Sequence, residues 1–105
     1  MPQFLYRLRP TRPTMLAEGP TGHEAAIIGR HFEYLSRLVD EGVVLMAGRT
    51  LHTDETSFGI AVFVADDMQA AEAVMRADPA VVAGVMSAEL FPYRIALWSR
   101  TGPQD

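Results

Sequence analysis

Residues 21–48 read TGHEAAIIGRHFEYLSRLVDEGVVLMAG, and this stretch decides the fold. Thr21 and Glu24 have the T-x-x-E spacing of a capping box, so a helix begins there. Ile27, Ile28, His31, Leu35 and Leu38 recur at separations of three, four and seven, which places them on one helical face. Gly29 inside the helix lowers its propensity, a cost that close packing beneath it would explain. Gly42 can take the left-handed conformation that ends a helix. Val43 to Ala47 then follows as a continuous apolar run, the mark of a strand covered on both faces. His31 is the anomaly: an imidazole aimed at a hydrophobic layer needs a partner for its ring nitrogens, or it costs free energy.

Upstream, Phe4 to Arg9 alternates as a strand, with Phe4, Tyr6 and Leu8 on one face and Leu5, Arg7 and Arg9 on the other. Pro10 to Gly22, with three prolines and two glycines, reads as a long loop, a feature more often functional than idle in a small domain. Downstream, Gly48 to Ser57 is a polar connection and Phe58 to Val64 a second apolar strand. Asp66 or Asp67 caps a short helix, Met68 to Arg76. Asp78-Pro79 pairs a capping carboxylate with a proline at a first helical position, opening one or two turns that end near Gly84. The last strand lies within Met86 to Trp98, with Pro92 marking an edge or a bulge. The order β-α-β-β-α-β is the ferredoxin-like α+β arrangement, with a four-stranded antiparallel sheet. Two helices cover only one face of such a sheet, yet two of its strands are apolar on both. A second copy packed sheet to sheet is the simplest cover, so a homodimer is expected.

Composition sets the outer bounds. A chain of 105 residues is expected to be a single domain with one modest core, ordered over about residues 4–98. Nine basic against thirteen acidic residues, a net charge of −4, argue against nucleic acid as a partner. The absence of cysteine excludes disulfides and thiol chemistry. No apolar run is long enough to span a bilayer and no signal-peptide pattern opens the chain, so the expected location is cytoplasmic, away from membranes. His23, His31 and His52 have no ligating spacing, and no phosphate loop or dinucleotide fingerprint appears; neither a metal nor a cofactor is expected.

The segments HFEYLSRLVDEG, VVLMAG, GIAVFVADD and RADPAVVAGVMSAELFPYRIAL resemble the YciI-like (YCII-related) family of the dimeric α+β barrel superfamily, over nearly all of Phe4 to Trp98. The combination of a helical His before an acidic-Gly turn with a downstream Asp-Pro-x-x-x-x-Gly carries the resemblance. It implies a dimeric barrel and a His-Asp dyad, here His31 and Asp78. It also implies cofactor-free acid-base chemistry (isomerase, lyase or dehydrochlorinase, or hydrolase type) on a small ring compound. Arg49 stands where many members have proline.

From the residues alone, each position has two readings. His31 is a general acid/base oriented by Asp78, or a core histidine satisfied by a carbonyl or a structural carboxylate. Asp78 caps a helix whether or not it also meets His31. Arg49, at the end of a strand, can meet an anionic ligand bidentately or sit in solvent. Arg7, sharing a strand face with Arg9, can face a dimer cleft and bind a carboxylate, or neutralise nearby acids. Tyr34, three residues from His31, can donate to a ligand or pack the helix flank. His23 and His52 read as solvated. A catalytic dimer acting on a small anionic ring compound and a non-catalytic ligand-binding or regulatory dimer are the two functions that fit.

Overall fold

The computed structural model describes residues 1–103. Its elements run β1 (Gln3–Pro10), α1 (Met15–Glu18), α2 (Gly22–Asp40), β2 (Val44–Arg49), β3 (Gly59–Val64), α3 (Met68–Arg76), α4 (Pro79–Val82) and β4 (Met86–Tyr93). All strand pairs are antiparallel, in the order β2-β3-β1-β4, which is the ferredoxin-like sheet.

The boundaries of α2 follow from its end chemistry. Glu24 N–H donates to the Thr21 hydroxyl at 3.1 Å, and Thr21 N–H to the Glu24 carboxylate at 2.9 Å, a complete capping box. At the other end Gly42 sits at φ 77°, while Gly42 N–H bonds Val39 O and Val43 N–H bonds Leu38 O. That pair is a Schellman closure, and it turns the chain straight into β2. Asp67, not Asp66, caps α3 by accepting from Ala70 N–H at 2.8 Å.

Both main helices lie on one face of the sheet. Phe4, Tyr6 and Leu8 of β1 and Ala61 and Phe63 of β3 are buried there against Leu35 and Leu38 of α2 and Ala71 and Met75 of α3. The opposite face carries Leu5, Met46, Ile60, Val62 and Phe91, and among the described residues no helix lies over it. Val62, in a central strand between Leu5 and Met46, is 1% exposed even so. The expected double cover of Val43 to Ala47 is absent within one chain. Here β2 is an edge strand, bulged between Val44 and Met46, and Leu45 and Met46 are exposed.

Two other expectations need correction. Residues 10–22 are not all loop: β1 extends through Pro10, and Met15–Glu18 forms a helical turn that buries Met15 against Ile27, Ala80 and Val85. Five prolines and glycines around a four-residue helix hide it in any composition window. What holds it is Arg12, whose guanidinium meets Glu24 bidentately at 3.0 and 2.8 Å and also bonds Glu18, Thr14 and Gly19 O. That guanidinium, and then the Thr21 N–H, hold the Glu24 carboxyl down at about 2.

The last strand stops at Tyr93, because its partner β1 begins at Gln3 and leaves residues 94–98 without a ladder. Pro92 is accommodated on this edge strand, as its missing donor requires.

Gly29 is exposed, and a Cβ there would meet nothing within 4 Å, so no close packing explains it. Gly29→Ala is therefore expected to stabilise the fold by about 0.5–1 kcal/mol, read as a higher urea midpoint.

Candidate active site

His31 and Asp78 meet. Both carboxylate oxygens of Asp78 lie 2.8 Å from His31 Nδ1, joining α2 to the start of α4. Asp78 is 0% exposed, and its cap is real: Oδ1 accepts from Ala80 N–H at 2.9 Å. The turn it opens closes on Gly84 at φ 73° by the same Schellman pattern that ends α2, which holds the carboxylate under the sheet.

A third partner, not foreseen from the sequence, completes the cluster. The Tyr6 hydroxyl donates to Asp78 Oδ2 at 2.8 Å, and Tyr6 is 0% exposed. The strand alternation placed Tyr6 on the inner face but could not say what lay above it. A tyrosine between Phe4 and Leu8 on a core face was the available signal, because a buried phenol needs a hydrogen-bond partner.

The protonation pattern follows from these donors. A carboxylate that already accepts from Ala80 N–H and Tyr6 O–H accepts again from His31, so Nδ1 carries the proton. Nε2 is then the nitrogen with a free lone pair, and it has no protein partner among the described residues. His31 retains 14% of its side-chain exposure, and that surface forms part of a cavity of about 600 Å³. Leu8, Leu16, Ile28, Leu35, Phe58 and Met86 supply apolar wall; Ser36, Asp40, Arg49, Thr50 and Ser57 supply the polar groups. Leu16 comes from α1, so the Arg12 clamp also fixes one side of the cavity.

Arg49 lies on this cavity. It pairs in register with Gly59, which pairs with Leu8, so all three point to the helix-covered face of the sheet. Arg49 is exposed and makes no ion pair among the described residues.

The structure does not bring Arg7 or Tyr34 to the same place. Arg7 is on the opposite face of the sheet, where it pairs with Glu89 and lies 6.0 Å over the Phe91 ring. The Tyr34 hydroxyl donates to Val74 O at 2.6 Å and is absent from the cavity wall. His52 lies 3.8 Å from Asp54, and His23 is exposed. Among the described residues no cluster of three His, Asp or Glu is placed to hold a metal, and no helix is long and apolar enough to cross a membrane.

Burial, and secondly the Asp78 charge, push the Tyr6 phenol far above its ordinary value. An unfolded chain loses that proton near pH ~10, whereas the folded one keeps it. The contribution to stability is thus complete below pH ~10 and falls as pH rises further. With no lysine in the chain, tyrosines dominate that range. Tyr6→Phe is expected to lower the urea midpoint at neutral pH and to flatten its decline between about pH 9 and 11. The residual slope belongs mainly to Tyr34, raised by burial first and Asp78 second.

The sequence profile of the YCII-related domain matches residues 4–94. No curated protein matches the chain significantly by sequence. Among solved structures, 5-chloro-2-hydroxyhydroquinone dehydrochlorinase from Burkholderia phenoliruptrix AC1100, in complex with 2,5-dihydroxybenzoquinone, is similar with a TM-score of 0.61. It is 17% identical, over 87% of this chain and 93% of its own. SnoaB, a cofactor-independent oxygenase from Streptomyces nogalater, is similar at a TM-score of 0.47 and 18% identity, over 90% of this chain and 94% of its own. At such identities the first likeness speaks for the fold. With the matched profile spanning both His31 and Asp78, the chain belongs to the YCII-related domain family.

Proposed function

We propose that this protein is a cofactor-free enzyme in which His31 moves a proton on a small, anionic ring compound bound in the cavity. The observation that carries this reading is the His31 ring itself: Nδ1 is held by a fully buried carboxylate, while the ring forms part of a cavity wall. A buried hydrogen bond with no route to a ligand would serve structure only; this one has a route. His31 Nε2 takes a proton from an acidic C–H or O–H of the ligand, and the electron pair left behind spreads into the ring system. The new imidazolium is stabilised by Asp78, which stays ionised. Returning the proton to another atom gives isomerisation. Departure of a leaving group with its bonding electrons gives elimination, the reaction type named for the similar dehydrochlorinase.

The test uses the ligand seen in that structure. With 2,5-dihydroxybenzoquinone in deuterated buffer, the wild-type protein is expected to accelerate deuterium uptake at the ring C–H positions, followed by proton NMR. Exchange no faster than in buffer, here and across a panel of small phenols and hydroxyquinones, leaves a ligand-binding protein and overturns the enzyme reading.

The assembly we propose is a homodimer through the open face of the sheet. Leu5, Met46, Ile60, Val62 and Phe91 make that face apolar, and patches of this kind mark interfaces. Light scattering at micromolar concentration is expected to give about twice the 11.6 kDa chain mass. A persistent monomer overturns it.

A further inference from the structure

Ser57 is the polar residue that the His31–Asp78 pair leaves unexplained. It is 2% exposed, lines the same cavity as His31 and Arg49, and its hydroxyl has no hydrogen-bond partner among the described residues. A hydroxyl so deeply placed normally finds one. The oxygen is not sealed in, since among the described residues no enclosed side-chain oxygen lacks a partner. Ser57 lines the cavity, so a ligand held there is a partner available to this hydroxyl.

The strand register places Ser57 beside Arg49. Arg49 pairs with Gly59, and the Thr50 N–H to Phe58 O bond carries the ladder one step further, which sets Ser57 diagonal to Arg49. Gly59, directly opposite Arg49 and two residues from Ser57, adjoins both. A Cβ there would come within 3.3 Å of Gly48 O and 3.8 Å of Arg49 Cβ, so glycine leaves a bare floor between a guanidinium and a hydroxyl.

The size of the cavity adds the rest. A dry cavity of about 150 Å³ is enough for benzene. The cavity here, about 600 Å³, is roughly four times that, with Leu8, Leu16, Ile28, Leu35 and Met86 along its walls. A single ring would leave most of that apolar surface wet.

We propose that Arg49 and Ser57, across the floor at Gly59, form a subsite for the carboxylate or phenolate oxygen of a flat aromatic compound of two or three fused rings. The rings lie along the apolar wall. The inference rests on the proposed use of this cavity, but not on any chemistry at His31.

The test is calorimetric titration with benzoate, 2-naphthoate and the neutral 2-naphthylmethanol. For the wild-type protein, 2-naphthoate is expected to bind about tenfold more tightly than benzoate, from the apolar area of the added ring. Ser57→Ala and Arg49→Gln are each expected to weaken 2-naphthoate about tenfold or more, as loss of a hydrogen bond to a charged group does. Neither is expected to change 2-naphthylmethanol by more than about threefold. Melting curves matching the wild type exclude misfolding as the cause. A wild-type protein that does not take up 2-naphthoate overturns the ligand class. Equal 2-naphthoate affinity in the wild type and both variants overturns the subsite. Binding as expected with no deuterium exchange strikes the catalytic reading alone.

Discussion

His31→Ala is expected to lower turnover by about 10²–10⁴-fold while leaving ligand affinity within about threefold, because a positioned acid/base contributes to the transition state rather than to binding. Asp78→Asn is expected to follow it in turnover for a different reason. An aspartate accepts from Nδ1–H and leaves Nε2 as the base. An asparagine can turn its amide N–H₂ toward His31 and stabilise the tautomer with the proton on Nε2, the wrong nitrogen for abstraction. The two variants separate by NMR. In Asp78→Asn the imidazole is still present, and its ¹⁵N shifts are expected to report the changed tautomer. An Asp78→Asn protein with unchanged turnover and unchanged His31 ¹⁵N shifts would mean that the contact at 2.8 Å only holds α2 to α4.

Much of this was legible in the sequence, and the reasons are local. Thr21, Glu24 and Gly42 bounded α2 because capping is written in the identity of a few residues. The alternation of β1 and the Asp-Pro before α4 did the same for their elements. The His31–Asp78 pair came from family resemblance, since nothing in a single sequence says that residues 47 apart touch. The missing parts were all tertiary. Tyr6 bonds Asp78 across 72 residues, and Arg12 reaches Glu24 around the turn at Gly19. Arg7 and Arg49 read alike as strand-borne cations, yet the sheet sends them to opposite faces, Arg7 to Glu89 and Arg49 to the cavity. Ser57 was invisible because a serine in a polar connection carries no signal until its burial is known.

The second large effect concerns stability. Asp78→Ala is expected to cost about 3–5 kcal/mol, a large share of the roughly 5–15 kcal/mol that holds a domain folded. The cost has separable sources. Loss of the α4 cap contributes about 1 kcal/mol. The Tyr6 hydroxyl, 0% exposed, loses its acceptor, and a buried unsatisfied donor costs about 1–3 kcal/mol. His31 Nδ1 loses its partner as well, though a ring with residual exposure can turn toward water. The double variant Tyr6→Phe with Asp78→Ala tests this division. If the orphaned hydroxyl is a main cost, removing it should restore part of the loss, so the two substitutions together should cost less than their sum. Asp78→Asn keeps an oxygen for Ala80 N–H and the shape of the side chain, so its cost is expected to be about 1–2 kcal/mol. Urea denaturation of the wild type and these four variants at neutral pH gives these values directly. An Asp78→Ala loss under about 1 kcal/mol would show that the buried carboxylate contributes little net stability.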